Sequence, residues 1–219
     1  MMHRRMAALE RRTTVDVLAS ALRERILDGD LQPASRLVER EIVDRYEVAR
    51  TTVRAALQAL AAEGLVRIET HRGARVAQLG PDDFHALFQL RTALEMESAH
   101  LALERHDGTL PPEVHRAVDR LSAACAVPKP RWRTIAASHA GVHEALVAAG
   151  GSPRIEAAYR QLNAELQLFV VALRPVWSGE KMAAHHVELL HGLESEGTPA
   201  LRRHLDEGLA EVSGGRAAT

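Results

Sequence analysis

Apolar residues recur every three to four positions at Val15, Leu18, Leu22 and Ile26, and the run stops at Asp28-Gly29-Asp30. That spacing predicts an amphipathic helix closed by a turn. After a turn at Pro33, residues 38–46 predict a short second helix. Residues 50–63 predict a third, with Val53, Leu57 and Leu60 facing inward and Gly64 capping its C-terminal end. The pattern then shortens: residues 65–68 and 74–77 predict two strands about a turn at His71-Arg72-Gly73. Three helices and a hairpin make a winged helix-turn-helix. Beyond Gly80-Pro81 the period is helical throughout, with helices expected over about 82–105, 112–125, 131–149, 153–173, 178–195 and 199–212. The breaks carry turn chemistry, as in Pro128-Lys129-Pro130 and Gly150-Gly151-Ser152-Pro153. The expected chain is mainly α: a winged helix-turn-helix over 1–79, an all-helical bundle over 80–212, and a disordered tail over 213–219.

Composition narrows the function classes. No stretch approaches the roughly 18 to 20 apolar residues of a membrane span, and the Arg-rich start lacks the apolar core of a secretory signal, so a cytoplasmic protein with no membrane partner is expected. The single cysteine, Cys125, makes neither an internal disulfide nor a Cys-type zinc site, and its apolar surroundings suggest a buried structural thiol. The net charge of −1 conceals an asymmetry: residues 1–79 hold 14 Arg/Lys against 11 Asp/Glu, and residues 80–219 hold 14 against 18. A mildly basic head joined to an acidic body fits an anion-binding module with a separate partner domain.

The second helix of a helix-turn-helix pair lies in the major groove, so its N-terminal side chains reach base edges and phosphates. Arg50, Thr51 and Arg54 occupy that end; Arg50 and Arg54, four apart, share a face and suit bidentate contact with guanine or phosphate. Arg40, on the preceding helix, is placed to grip the backbone. The turn His71-Arg72-Gly73 suits the adjacent minor groove, where Gly allows close approach and Arg meets negative potential. Any one of these arginines would serve equally as solvated surface; their joint placement favours DNA.

These residues carry a resemblance. Gly29-Asp30-Leu31-Gln32-Pro33, Val48 through Arg54, Glu63-Gly64-Leu65-Val66 and Arg72 through Val76 resemble the GntR family of bacterial regulators across nearly all of residues 13–79. The resemblance implies that Arg40, Arg50 and Arg54 stand where the family's DNA-contacting arginines stand, with Gly73 matching in the wing. Two residues depart from the pattern. Ala34 replaces the usual Gly after Pro33, which asks more of the turn's backbone. Ala49 replaces a common Ser, giving up an N-cap hydrogen bond of about 1 kcal/mol, so weaker operator binding is expected.

The bundle holds four notable histidines: His139 and His143, spaced i and i+4, His186 on a later helix, and His204 on the last. An i, i+4 pair points two imidazoles the same way, and one from each of two facing helices would complete a metal site. In a chain with 12 histidines, such a pair is also readily explained as solvated or hydrogen-bonded core residues. Here too there is a resemblance: Phe88-Gln89-Leu90-Arg91 with Leu94-Glu95, Val142 through Leu146, His186 with Leu189-Leu190, and His204-Leu205-Asp206 resemble the FCD effector domain of the FadR-like GntR branch. That family commonly holds a divalent metal with one Asp and three His. By resemblance His143, His186 and His204 match the three histidines, and His139 falls where the Asp should be, which implies an all-nitrogen site shifted toward zinc, with nickel also possible. Arg91 matches an arginine that captures a carboxylate effector, though an Arg91–Glu95 structural pair is an equal reading. Asn163 is a further candidate for ligand contact, and His185 and His191 read as flanking surface residues, His185 replacing His186 if the helical register shifts by one.

The implied function is a homodimeric, ligand-responsive transcription regulator, more often a repressor in this family, that binds a pseudo-palindromic operator and is no enzyme. A metal sensor is one alternative. A metal-dependent hydrolase is another, with Glu144 beside His143 as its one placed acid; it leaves the DNA-binding head unexplained.

Overall fold

In the computed structural model, which describes residues 13–69 and 72–215, helix α1 (Thr14–Leu27) begins with a reciprocal cap. The Thr13 hydroxyl accepts from the Asp16 backbone N–H and the Asp16 carboxylate accepts from that of Thr13, satisfying two orphan donors. Helix α2 (Glu39–Tyr46) follows a two-residue strand, β1 (Arg36–Leu37), and then comes α3 (Arg50–Ala62). Helix α3 ends in a Schellman motif: Leu65 N–H donates to Leu60 and Gly64 N–H to Ala61, with Gly64 at φ +77°. Strands β2 (Val66–Glu69) and β3 (Gly73–Val76) form the wing hairpin, and β1 pairs on the far side of β3, giving the antiparallel order β1-β3-β2. Leu18, Leu22, Ile26, Val53, Leu57 and Leu60 close the core of this head, as their spacing predicts. Strand β1 was not anticipated; two residues give no period to read.

The bundle comprises α4 (Pro81–Arg105), α5 (Pro112–Ala126), α6 (Trp132–Ala149), α7 (Pro153–Arg160), α8 (Asn163–Leu173), α9 (Gly179–Glu196) and α10 (Thr198–Gly215). Helix α4 packs on α6 and α10, α5 on α6 and α9, and α6 on α8. The continuous helix expected over 153–173 is two helices. Gln161 and Leu162 donate to carbonyls only three residues back, at Ala158 and Tyr159, tightening the turn. Tyr159 is anchored by its hydroxyl on Glu95 while Leu162 is buried, so packing redirects the chain without Gly or Pro. Helix α10 continues to Gly215, beyond the expected boundary at 212. Cys125, expected to be buried, is a half-buried free thiol. Among the described residues, no helix is long and apolar enough to cross a membrane.

Two features lock the head to the bundle. Ala164 and Leu168 of α8 pack against the head's core, and a Cβ at Gly64 would lie 2.5 Å from the Glu165 carboxylate. On the other side Arg133 of α6 pairs with Glu24 and, at 3.4 Å, with Asp28 near the end of α1.

Candidate functional site

The recognition-helix arginines of the head meet at one acidic residue. Arg50 and Arg54, in the first turns of α3, are both exposed, and both reach the Glu39 carboxylate, at 3.1 and 3.0 Å. Thr51 is exposed beside them, and Arg40 is exposed on α2 with Asp44 3.8 Å away. Ala49 is the N-cap of α3 and makes no side-chain capping bond, as its small apolar side chain requires. In the wing, Arg72 is exposed and Gly73 has φ +83°, with open space where a Cβ would stand. His71 lies outside the described residues. Ala34 adopts φ +63°, the left-handed conformation expected from its replacement of Gly. Two features were missed from sequence: Glu39, which gathers both recognition-helix arginines, and Arg36, which donates to the Arg72 carbonyl at 3.4 Å. Glu39 was legible only as one more helix-start acid, because its pairing crosses between helices.

The second site is buried in the bundle. His139 and His143 on α6 meet His186 on α9, all three buried, with ligand atoms within 4.8 Å of one another. Burial pushes His139 and His186 well below the ordinary imidazole range, and neighbouring histidines push further. For His143, burial and Arg91 outweigh the opposing pull of Glu95, so it too is lowered. All three are therefore neutral at neutral pH, the form that offers a lone pair.

The surroundings fix which nitrogen carries that pair. His186 Nδ1–H donates to the Met182 carbonyl at 2.8 Å, and His143 Nδ1–H to the Glu95 carboxylate at 2.9 Å. Both Nε2 atoms are then lone-pair acceptors, and they face each other at 3.3 Å. Two metal bonds of about 2.0–2.1 Å at a tetrahedral angle separate their nitrogens by about 3.3–3.4 Å, so the residues present fit a divalent ion. Burial alone would raise the Glu95 carboxyl, but Arg91, His143 and Tyr159 outweigh it and hold it well below the usual carboxylate range. Arg91 Nε donates to Glu95 at 2.7 Å, and Tyr159 donates to the same oxygen at 2.6 Å. The Arg91 Nη2 atom is buried without a hydrogen-bond partner.

The fourth expected ligand, His204, stands beside this trio rather than within it. Its ring centroid is 4.7 Å from that of His186, yet it stacks on His185 at 4.1 Å. Asn163 spends its amide elsewhere, donating to Glu144 at 2.5 Å and accepting from Gln167 at 3.4 Å.

The comparisons with known proteins follow this division of the chain. Residues 14–76 match the model of bacterial regulatory proteins of the gntR family, and residues 86–210 match the FCD domain. The chain belongs to the GntR family and carries an FCD domain. A relative named "Uncharacterized HTH-type transcriptional regulator BphR", from Paraburkholderia xenovorans, is 34% identical over 51% of this chain and 45% of its own length, so the chain matches under half of it. A second, named "Probable D-xylose utilization operon transcriptional repressor", from Paenarthrobacter nicotinovorans, is 26% identical over 91% of this chain and 88% of its own. The crystal structure of a GntR-type transcriptional regulator from Rhodococcus sp. RHA1 superposes with a TM-score of 0.74 at 25% identity, covering 91% of this chain and 97% of that one. The protein is thus a transcriptional regulator of the GntR family, not an enzyme. In the FCD domain Glu144, the placed acid of the hydrolase alternative, accepts from Asn163.

Proposed function

We propose that this GntR regulator is a cytoplasmic homodimer that represses transcription from a pseudo-palindromic operator and is released or retained according to a small carboxylate effector. The head supplies the contacts: Arg50, Thr51 and Arg54 to the major groove, Arg40 to the backbone, and the wing with His71, Arg72 and Gly73 to the minor groove. The sign of regulation is carried over from the relative named as a repressor.

In the FCD domain His139, His143 and His186 would hold a divalent transition ion, zinc or nickel, with His204 beside them as a fourth ligand. The observation that carries this reading is the pair of Nε2 lone pairs turned toward each other at 3.3 Å. When bound, the ion supplies a Lewis-acidic position for a carboxylate oxygen. Glu95 and the Met182 carbonyl hold His143 and His186 in the receptive tautomer, and the spare Nη2 donor of Arg91 offers the effector a second contact. Helix α6 carries His139 and His143 and, through Arg133, touches α1 of the head, which supports coupling of the two sites.

The test is elemental analysis of untagged wild-type protein and His143→Ala, with operator affinity measured by anisotropy in zinc, with and without a panel of di- and tricarboxylates. One equivalent of metal lost in the variant, together with a carboxylate-dependent change in affinity, supports the reading. Metal-dependent affinity that no carboxylate alters would favour a metal sensor, a reading supported by the engagement of Arg91 with Glu95. Absence of metal after reloading would overturn both.

A further inference from the structure

In the wing sheet, Arg75 of β3 stands directly opposite Arg36 of β1 on one side and Arg67 of β2 on the other. Successive side chains of a strand point to opposite faces, and Leu37, Val66, Ala74 and Val76, the chain neighbours of these arginines, are buried in the head's core. The three arginines therefore share the outer face. Two inter-strand spacings of about 4.8 Å make their row roughly 10 Å long. Like charges placed directly opposite each other destabilise a sheet.

This charge is held in place rather than cancelled. Arg36 Nη2 donates to the Arg72 carbonyl at 3.4 Å, and Arg75 Nη1 to the Ala34 carbonyl at 2.9 Å. A carbonyl fixes a guanidinium without neutralising it and leaves most of its five N–H donors available. Among the described residues neither Arg36 nor Arg75 is ion-paired with a carboxylate, whereas Arg67 meets Asp83 at 3.4 Å, both side chains exposed. A shallow depression joins Arg36 and Arg75 to Arg72 of the wing turn, with Glu69 as the acid in its lining. Three cations against one carboxylate leave the depression net positive.

We propose that Arg36 and Arg75 make the outer face of the wing sheet a DNA-contacting surface of its own, which grips backbone phosphates beside the groove that the wing turn enters. The inference rests on the placement of the wing against DNA proposed above. Continuity carries it from turn to sheet, because Arg72 lines the same depression and its carbonyl positions Arg36. A guanidinium suits bidentate contact with phosphate, and phosphates above the row offset the like-charge repulsion of the free sheet. Contacts of this kind add affinity and fix orientation without reading sequence. Arg67, already met by Asp83, contributes less.

The experiment uses full-length protein, a random-sequence duplex, and an operator duplex that the wild type selects from a random pool. Affinities are measured by anisotropy between about 0.05 and 0.2 M salt for wild type, Arg36→Gln, Arg75→Gln, the double variant, Arg75→Lys and Arg54→Gln. Each Gln substitution on the sheet is expected to weaken binding to both duplexes by the same factor, leaving the operator-to-random ratio unchanged. Each should also flatten the slope of log affinity against log salt by about one. Arg75→Lys keeps the charge and is expected to keep the slope. A wild-type slope in the double variant would overturn the proposal. So would a slope that Arg75→Lys loses as fully as Arg75→Gln, since the effect would then come from the packing of the sheet. Lost operator preference in Arg54→Gln, with the sheet variants unchanged, would sink the outer face alone. Wild-type protein that selects no sequence and binds neither duplex would overturn the DNA reading, and the outer face with it.

Discussion

His143 and His186 come from different helices, yet each has its Nδ1 proton committed, to Glu95 and Met182, so that two lone pairs meet at 3.3 Å across the centre of the bundle. Such an encounter is repulsive unless a positive charge lies between them. Stripping the protein with a chelator is therefore expected to lower its stability, and zinc to restore it. An ion at a hundredfold excess over its Kd contributes about 2.7 kcal/mol, or about 5–10 °C in Tm for a chain of this size. Thermal melts in chelator and in zinc check this; coincident melts would contradict it.

The same histidines make the metal-free protein acid-sensitive. Burial holds His139, His186 and His204 well below, and His143 below, the ordinary imidazole value, whereas in the unfolded chain they titrate near about 6.5. The unfolded state then binds more protons below that pH. The stability their neutral forms contribute is complete above about pH 6.5 and is lost as pH falls toward the depressed folded values, at up to about 1.4 kcal/mol per unit for each histidine. Urea midpoints of chelated protein at pH 7.5 and 5.5 read the effect, and an equal midpoint at both would refute it.

Glu39 pairs with both guanidinium groups that the proposed function gives to DNA, and would therefore compete for them. The substitution Glu39→Gln removes one negative charge from the expected phosphate-facing surface and frees both guanidinium groups. Non-sequence-specific DNA binding should tighten several-fold at about 0.15 M salt, with a steeper salt dependence, while the ratio of operator to random-sequence affinity falls because the arginines lose their common anchor. Weaker binding to random DNA would show that Glu39 aids the contact instead.

Ala34 holds φ +63°, a conformation costing an L-residue about 1 kcal/mol and a glycine almost nothing. Ala34→Gly is expected to stabilise the head by about 0.5 kcal/mol, the glycine's extra freedom in the unfolded chain offsetting part of the gain. A lower urea midpoint would mean the strain is relieved elsewhere.

Much of this architecture was legible because punctuation in the chain is strong. Gly29, Pro33, Gly64, Pro81 and Pro112 each mark a boundary between elements, and the apolar period between them is regular. The break between α7 and α8 was not legible, since Gln161 and Leu162 carry no turn signal and the cause is the anchoring of Tyr159 on a residue 64 positions away. In the site, the i, i+4 spacing of His139 and His143 was readable from one helix alone. The orientation of His204 was not: its stack on His185 depends on how α9 and α10 lie against each other. For the same reason His185 read as a flanking residue, although its ring is mostly covered and its carboxylate partner sits on the next helix.

The boundary at Gly80 divides two sequence patterns, but side-chain packing crosses it. With Ala164 and Leu168 seated against the head's core, and Glu165 occupying the space that a side chain at Gly64 would need, the head completes its interior with residues supplied from α8. A fragment ending at residue 79 would expose that apolar surface to water, so the intact chain should denature in one cooperative step and the isolated head should melt well below it. Coupling between operator binding and the proposed effector site would then need no moving linker, because part of the bundle is already seated inside the head.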